Sequence, residues 1–378
     1  MKLWTFACVA VRLVALSVGL GVYVRSEAQS IRWLPEIGRP YGISPDGRVV
    51  VGVGSRGACR WTAETGTQFI VNLPLSGSSE ARSVSADGSV VVGTVNIYDN
   101  GYYRERGFVW RNGEVTLLNF PVSTQTRAYD VSADGSIVVG GAVLLSWSGQ
   151  PVRHAFRWTA ETGMQDLGPI GYARAIAANG RVIVAGSGRW IDGVGYQDIG
   201  IEGVDTSADG SVIISYRVYW TESGGTQGIG GGGDVYGIYA YGLSGDGRVV
   251  VGGAMRNAQD FAFRWTPETG MVDLNIIYAS LLGDGSKLLA ATAVSQNGRY
   301  IVGYGRRPNG YVEAFLLDTC THSVDVYQDG CVDDLDVLTV LFRFGASGSN
   351  VGRADVNCDE VVDDADLLMV LFNFGSGC

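Results

Sequence analysis

A nine-residue phrase, "SADGSVVVG" at 85–93, returns as "SADGSIVVG" at 132–140 and as "SPDGRVVVG" at 44–52. A chain that repeats a turn and an apolar run is restricted to architectures assembled from copies of one unit. Seven copies align on their turn pairs: Asp46-Gly47, Asp87-Gly88, Asp134-Gly135, Asn179-Gly180, Asp209-Gly210, Asp246-Gly247 and Asn297-Gly298. Neighbouring pairs lie between 30 residues (Asn179 to Asp209) and 51 residues (Asp246 to Asn297) apart. Asp-Gly and Asn-Gly favour tight hairpins, so a type I′ turn, with positive φ at both central positions, is expected at each. The β-branched run that follows predicts a strand buried on both faces. Fifty-six glycines against nine prolines fit such a turn-rich β protein.

A second motif follows most turns: "CRWT" at 59, "FVWR" at 108, "FRWT" at 156, "VYWT" at 218, "FRWT" at 263 and a weaker "FLLD" at 315. Phe156 and Trp158 lie two apart and share one face of a strand. "ETG" and a short run ending near Leu-Gly come next, as in "MQDLG" at 164. Each unit therefore predicts four short strands, the content of a β-propeller blade. Unit four lacks a clear Trp strand and is expected to be short or distorted. Unit seven stops after its third strand, at Asp318, while "IRWLPEIG" at 31–38 precedes unit one as an unattached strand. Donating that strand to unit seven closes the ring and removes its open edges. A closed seven-bladed propeller over residues 29–318 is thus preferred to an open β-solenoid. The units resemble the HAF family of extracellular repeats, whose His-Ala-Phe triplet stands here in "HAFRWT" at 154–159 and in part in "DFAFRWT" at 260–266. That resemblance covers roughly residues 30 to 318 and implies a secreted repeat protein with no established activity.

After Asp318 the pattern changes. "DVYQDGCVDDLDVLTVLFRFG" at 325 is answered 30 residues later by "DVNCDEVVDDADLLMVLFNFG" at 355. Each half is a twelve-residue acidic loop running into an amphipathic helix, expected at 335–344 and 365–374. From Cys320 onward there are eleven Asp or Glu and two Arg, a net −9 out of −10 for the whole chain. No basic stripe exists, so nucleic acid is not an expected partner. Calcium loops of EF-hand type place oxygen ligands at positions 1, 3, 5, 7, 9 and 12. In the second loop these are Asp355, Asn357, Asp359, the Val361 carbonyl, Asp363 and Asp366. In the first they are Asp325, Asp329, the Cys331 carbonyl, Asp333 and Asp336, with Tyr327 at position 3 supplying no such ligand. Glu360 stands at position 6, where glycine suits the sharp turn. Paired loop–helix units with Asp at position 12 resemble the type I dockerin. For residues 319–378 the resemblance implies two calcium sites and attachment to a cohesin-like scaffold or surface protein.

Four cysteines lie in this tail: Cys320, Cys331, Cys358 and Cys378. Four allow three pairings; Cys320 with Cys378 and Cys331 with Cys358 is the expected one. No Cys-x-x-Cys pair supports a zinc site instead. Cys59 occupies the Phe position of a Trp strand and is expected to be a buried free thiol. The N-terminus carries Lys2, an apolar run from Leu13 to Val24 and small residues around Ser26-Glu27-Ala28. It reads as a signal peptide over 1–28, with Arg12 cutting the apolar run below spanning length. The mature chain is then expected to have no membrane span and to be secreted or attached to the cell surface.

Signals for chemistry are thin. "GVGSRG" at 52–57 matches a dinucleotide-loop pattern but leads into a strand rather than a helix. "GIGGGGDVYG" at 228 lacks the Lys-Ser/Thr of a phosphate loop. Only His154 and His322 exist, and His154 sits in the repeat motif. Glu161, Glu222, Glu268, Asp192 and Asp260 are carboxylates a glycosidase could pair, but Glu64, Glu161 and Glu268 recur in "ETG" as turn residues. No catalytic residue is assigned. The expectation is a binding or display module, with a glycan as one candidate ligand. A polysaccharide hydrolase or lyase and a structural envelope protein are the rivals.

Overall fold

A computed structural model of the chain describes residues 29–378 apart from 74–75, 100, 121–122, 321, 328, 348–350 and 359–360. The signal peptide expected over 1–28, and the predicted ligand Asp359 with its neighbour Glu360, lie outside the described residues.

Seven four-stranded antiparallel sheets follow one another along the chain. Blade one is Ile37–Ile43, Val50–Gly54, Gly57–Thr62 and Gly66–Phe69, paired in that order. Blades two to six repeat the order. Blade seven takes its outermost strand from the start of the chain: Ser30–Leu34 pairs with Val312–Asp318. This is a seven-bladed propeller, closed by the N-terminal strand as its sequence suggests. Arg299 pairs with both carboxylate oxygens of the buried Asp318, at 2.7 and 2.6 Å, and pins the end of the receiving strand.

The repeated phrase builds the first turn of each blade, though not as a type I′ hairpin. Gly88 has φ +71°, but Asp87 is not among the residues with positive φ. The Asp works through its side chain instead. Ser85 Oγ donates to Asp87 Oδ1 at 2.6 Å, and the N–H of Ser89 donates to the same oxygen at 3.0 Å. The N–H of Val90 then donates to Ser85 Oγ at 3.0 Å. The serine is thus as much a part of the turn as the Asp-Gly pair, and five other blades repeat this arrangement. A Cβ on Gly88 would also lie 2.5 Å from Val49 Cγ2 of blade one, so each turn glycine seats its blade on the one before.

The central strands are buried, with Val50, Val51, Val91, Val92, Val138 and Val139 at 2% exposure or less. The Phe of the Trp motif lies beneath them: Phe108, Phe156, Phe263 and Phe315 are fully buried. Blade four is short, with four strands of four residues, yet it does have a Trp strand, Gly188–Ile191. Trp190 sits opposite Ile183, as Trp158 sits opposite Val138. The missing Phe hid it, because Gly188 stands in that place.

In the tail, helices span Asp334–Arg343 and Asp364–Phe372 around a small valine core that includes Val340 and Val370. The internal duplication extends to the backbone. Gly345 and Ala346 bond to Val362, and thirty residues on, Gly375 and Ser376 bond to Val332. The disulfides join Cys320 to Cys358 and Cys331 to Cys378, which corrects the expected pairing. The duplication accounts for the difference: the first loop packs on the segment after the second helix, which brings Cys378 to Cys331. Cys59 is buried and unpaired, and burial pushes its thiol up to about 12.

Candidate functional site

The innermost strands of the blades surround a central channel. Its cavity, about 640 Å³, is lined almost wholly by residues of those strands and their first turns. One end is narrowed by the turns. The N–H of Ala86 donates to Ala133 O, Ala133 to Ala178, Ala208 to Gly245 and Gly245 to Gln296, so neighbouring blades are stitched together around that rim. Arg39, Arg127, Arg153, Tyr172 and Tyr304 line the cavity away from that rim, toward its other end.

The side chains that face the channel are placed there by a repeated irregularity. Besides a further irregularity near the start of the first strand in blades one, two, six and seven, six blades share one skipped residue in the register of the first strand against the second, three positions before the turn Ser or Ala. The skipped residues are Tyr41, Arg82, Tyr129, Arg174, Tyr241 and Thr292, and all six line the cavity. A bulge leaves one residue unpaired and re-aims its side chain. The residue after each bulge also reaches the channel, which strict alternation forbids. Asp130, directly after Tyr129, is one of these.

The mouth is cationic and aromatic. Five arginines (Arg39, Arg82, Arg127, Arg153, Arg174) and six tyrosines line the cavity, against two acidic residues. Four of the arginines lie over tyrosine rings, with the guanidinium carbon 4.4 Å from the Tyr41 centroid for Arg82 and 5.0 Å from Tyr304 for Arg39. The same holds for Arg153 over Tyr172 and Arg174 over Tyr129. Such stacking orients a guanidinium while leaving its edge free to donate. Arg82, Arg127 and Arg174 also pair with Glu80, Glu105 and Glu202. Arg39 and Arg153 have no carboxylate within 4.0 Å among the described residues.

Asp130 and Asp205 lie deeper. Asp130 accepts from Ser83 Oγ at 2.6 Å, from its neighbour Val131 N–H at 2.8 Å and from Ile176 N–H of blade four at 2.8 Å. Asp205 accepts from Thr206 N–H and from Leu243 N–H of blade six, both at 2.8 Å. Burial pushes Asp130 up to about 6; burial, and then the charge of Asp130, push Asp205 up to about 7. Each carboxylate latches neighbouring blades together.

The carboxylates singled out from sequence lie elsewhere. Glu161, Glu222, Glu268, Asp192 and Asp260 are all exposed and none lines the channel. His154 pairs with Asp166 across the blade, at 3.0 Å, and is likewise outside the channel. "GVGSRG" forms a strand hairpin, without a helix.

In the tail the two loops wind alike. Asp336 is fully buried; its oxygens accept from Tyr327 N–H and Asp333 N–H, both at 2.8 Å. Asp366 is fully buried and accepts in the same way from Asn357 and Asp363. Asp325 accepts from the N–H groups of Asp329 and Gly330. Asp333 and Asp363 cap the two helices. Asp355 is buried, and the Val361 carbonyl belongs to a residue paired with Ser347. The donors are hard oxygens of the kind calcium takes. Among the described residues, no three of the loop carboxylates come within 4.8 Å of one another. The trio that does, Cys320, His322 and Cys358, has both sulfurs committed to a disulfide.

No protein-family model and no curated protein matches the sequence. Among solved structures, the chain is similar to TolB from Acinetobacter baumannii at 14% identity and a TM-score of 0.37, over 65% of this chain and 54% of that one. It is similar to a prolyl endopeptidase at 9% and 0.47, over 78% of this chain and 50% of that one. It is similar to an oligogalacturonate lyase in complex with manganese at 10% and 0.37, over 76% and 90%. The chain thus spans about half the length of the first two. The blade count rests on this chain's own sheet order. No helix among the described residues is long and apolar enough to cross a membrane.

Proposed function

We infer that this chain is a secreted or surface-attached binding module. The propeller takes a ligand into its channel at the end away from the turn rim, and the tail tethers the propeller to a partner. One observation carries the reading: the bulged residue of six of the seven blades faces the cavity, and five of the six are Tyr or Arg. Residues that varied only to fill space would not converge as hydrogen-bonding and ring-bearing side chains around one opening. The "HAFRWT" resemblance to extracellular repeats and the two disulfides agree with a site outside the cytoplasm.

In this reading the tail is dockerin-like and holds two calcium ions, through Asp325, Asp329, Asp333 and Asp336 in one loop and Asp355, Asn357, Asp363 and Asp366 in the other. Support comes from the identical winding of both loops about their last aspartate. Related positions on the two helices, Leu338 with Phe342 and Leu368 with Phe372, are exposed and offer a cohesin-like partner two equivalent apolar faces. The test is a glycan array together with a reducing-sugar assay on the mature chain. Binding without new reducing ends supports the module. New reducing ends would favour the hydrolase or lyase, with Asp130 and Asp205 as its channel carboxylates. A blank array with no activity would leave the structural envelope role and reject ligand binding.

A further inference from the structure

We propose that the channel takes the end of a carboxylate-bearing oligosaccharide, with arginine forks on the carboxylates and tyrosine faces against the sugar rings. This rests on the channel-binding reading and adds the class of ligand. Five arginines and no lysine line the cavity. A guanidinium offers two parallel N–H groups that match a planar carboxylate, which an ammonium cannot do. Of the chain's net −10, −9 lies in the tail, so the propeller itself is near neutral and the arginines form a local positive group at the mouth. Such a group draws an acidic molecule toward it.

The shape points to the end of a chain. The cavity ends at the rim of bonded turns, and about 640 Å³ is the size of a site for a small or drug-sized ligand rather than a long polymer. A second cleft, lined by Thr124, Gln125, Val143 and Pro169 among others, shares Arg127, Arg153 and Tyr172 with the channel. The mouth therefore continues over blade three, past Arg153 stacked on Tyr172, and gives an extended ligand a way out. Aromatic side chains crowd this same end. Each first strand runs toward the narrow rim, so the hairpins joining second to third strands lie around the mouth. These carry Tyr102, Tyr103, Trp147 and Tyr311, at 71, 65, 109 and 71% exposure. Exposed ring faces with polar tips suit the alternating C–H and hydroxyl surfaces of a sugar chain.

Isothermal titration of the full mature chain with galacturonate and mannuronate oligomers, their methyl esters and neutral galactose and mannose oligomers tests the proposal. At least one acidic oligomer should bind about tenfold or more tightly than its ester. That binding should weaken with added salt. The Arg39→Gln/Arg153→Gln double variant should lose about tenfold or more in affinity with an unchanged melting temperature, because neither arginine has a carboxylate partner to strand. Equal binding of acid, ester and neutral oligomers overturns the acidic class and leaves the channel-binding reading in place. Full affinity in the double variant overturns the location. Tighter binding of a single-stranded oligothymidylate than of any uronate overturns the sugar assignment. If no uronate binds, the proposal fails, and the glycan array decides separately whether the channel binds anything.

Discussion

Trp33 lies opposite Phe315 in the seventh blade, their ring centroids 6.1 Å apart and their planes at 72°. One residue belongs to the first described strand and the other to the last strand of the propeller, so this contact sits at the point of ring closure. Trp33 also supports Gly305, whose Cβ would lie 2.8 Å from the Trp33 ring, and carries Arg307 over its face. Trp33→Ala removes a partly buried aromatic and should cost about 2–3 kcal/mol. Deleting 29–34 should cost more, because it bares the edge formed by Val312–Asp318. Urea titration of both variants checks this; wild-type midpoints would mean that the terminal strand does not close the ring.

Gly140 faces Phe156 across the sheet, and a Cβ there would meet Arg127 O at 2.0 Å and Phe156 Cζ at 2.6 Å. The backbone carbonyl cannot swing aside as a side chain can. Gly140→Ala should destabilise by about 3 kcal/mol, the upper end of overpacking costs. Gly149→Ala, at φ +76° with nothing within 4 Å, should cost only about 1–2 kcal/mol from backbone strain. Comparable unfolding midpoints for the two variants would show that the Gly–Phe fit is not a constraint.

The repeat made the architecture legible because the turn and the Phe–Trp strand are fixed by contacts that every blade shares. The channel was not legible for the opposite reason. Its residues differ from blade to blade, as Tyr129, Arg174 and Thr292 do at one place. Adjacent residues such as Tyr129 and Asp130 also both line it, which a period of two assigns to opposite faces. A bulge breaks that period, and nothing in a single sequence marks where. One signal was available: Arg or Tyr three residues before the turn Ser in units one, two, three and six. The disulfide pairing failed because it treated the loops as neighbours to be joined, whereas each loop packs on the other half's exit segment.

Asp130 and Asp205 make stability depend on pH in an unusual direction. An unfolded Asp titrates near 4, whereas these reach about 6 and about 7 in the fold. The folded state therefore binds more protons between those values, and stability falls as pH rises. The contribution is fully present below pH 4 and is lost as pH passes through 6 and 7. The Asp130→Asn and Asp205→Asn variants keep an acceptor for the backbone N–H groups but cannot ionise. Their melting temperatures relative to wild type should rise between pH 5 and pH 8. Parallel curves across that range would reject the assignment.

Peptide mapping under non-reducing conditions should recover Cys320–Cys358 and Cys331–Cys378. A bridge spanning 47 residues stabilises by about 4 kcal/mol in the loop-entropy model, less where the chain is otherwise ordered. Cys59, held at about 12, should resist maleimide in the folded protein and react once it is unfolded. Recovery of Cys320–Cys378 would overturn the crossed arrangement.

If the tail holds the two calcium ions proposed for it, its loops should differ in affinity, with the second the tighter. In the first, Tyr327 stands at position 3 at 60% exposure and brings no carboxylate or carboxamide to the loop, although Gly330 takes φ +93° without strain. In the second, Asn357 stands at that position and would supply the carboxamide. The second loop carries a left-handed Cys358 at φ +58°, a strain of about 1–2 kcal/mol, but that bend is present without any ion. A missing ligand removes a direct ion contact every time calcium binds, whereas strain already present before binding is not added to the binding step. Asp355→Ala should then abolish the tighter step of a calcium titration and Asp325→Ala the weaker one. Chelation should lower helicity, because Asp336 and Asp366 each tie a loop to the first turn of a helix. The reverse order of affinities would show that position 3 does not decide it, and helicity indifferent to calcium would remove the ion from the account of the tail.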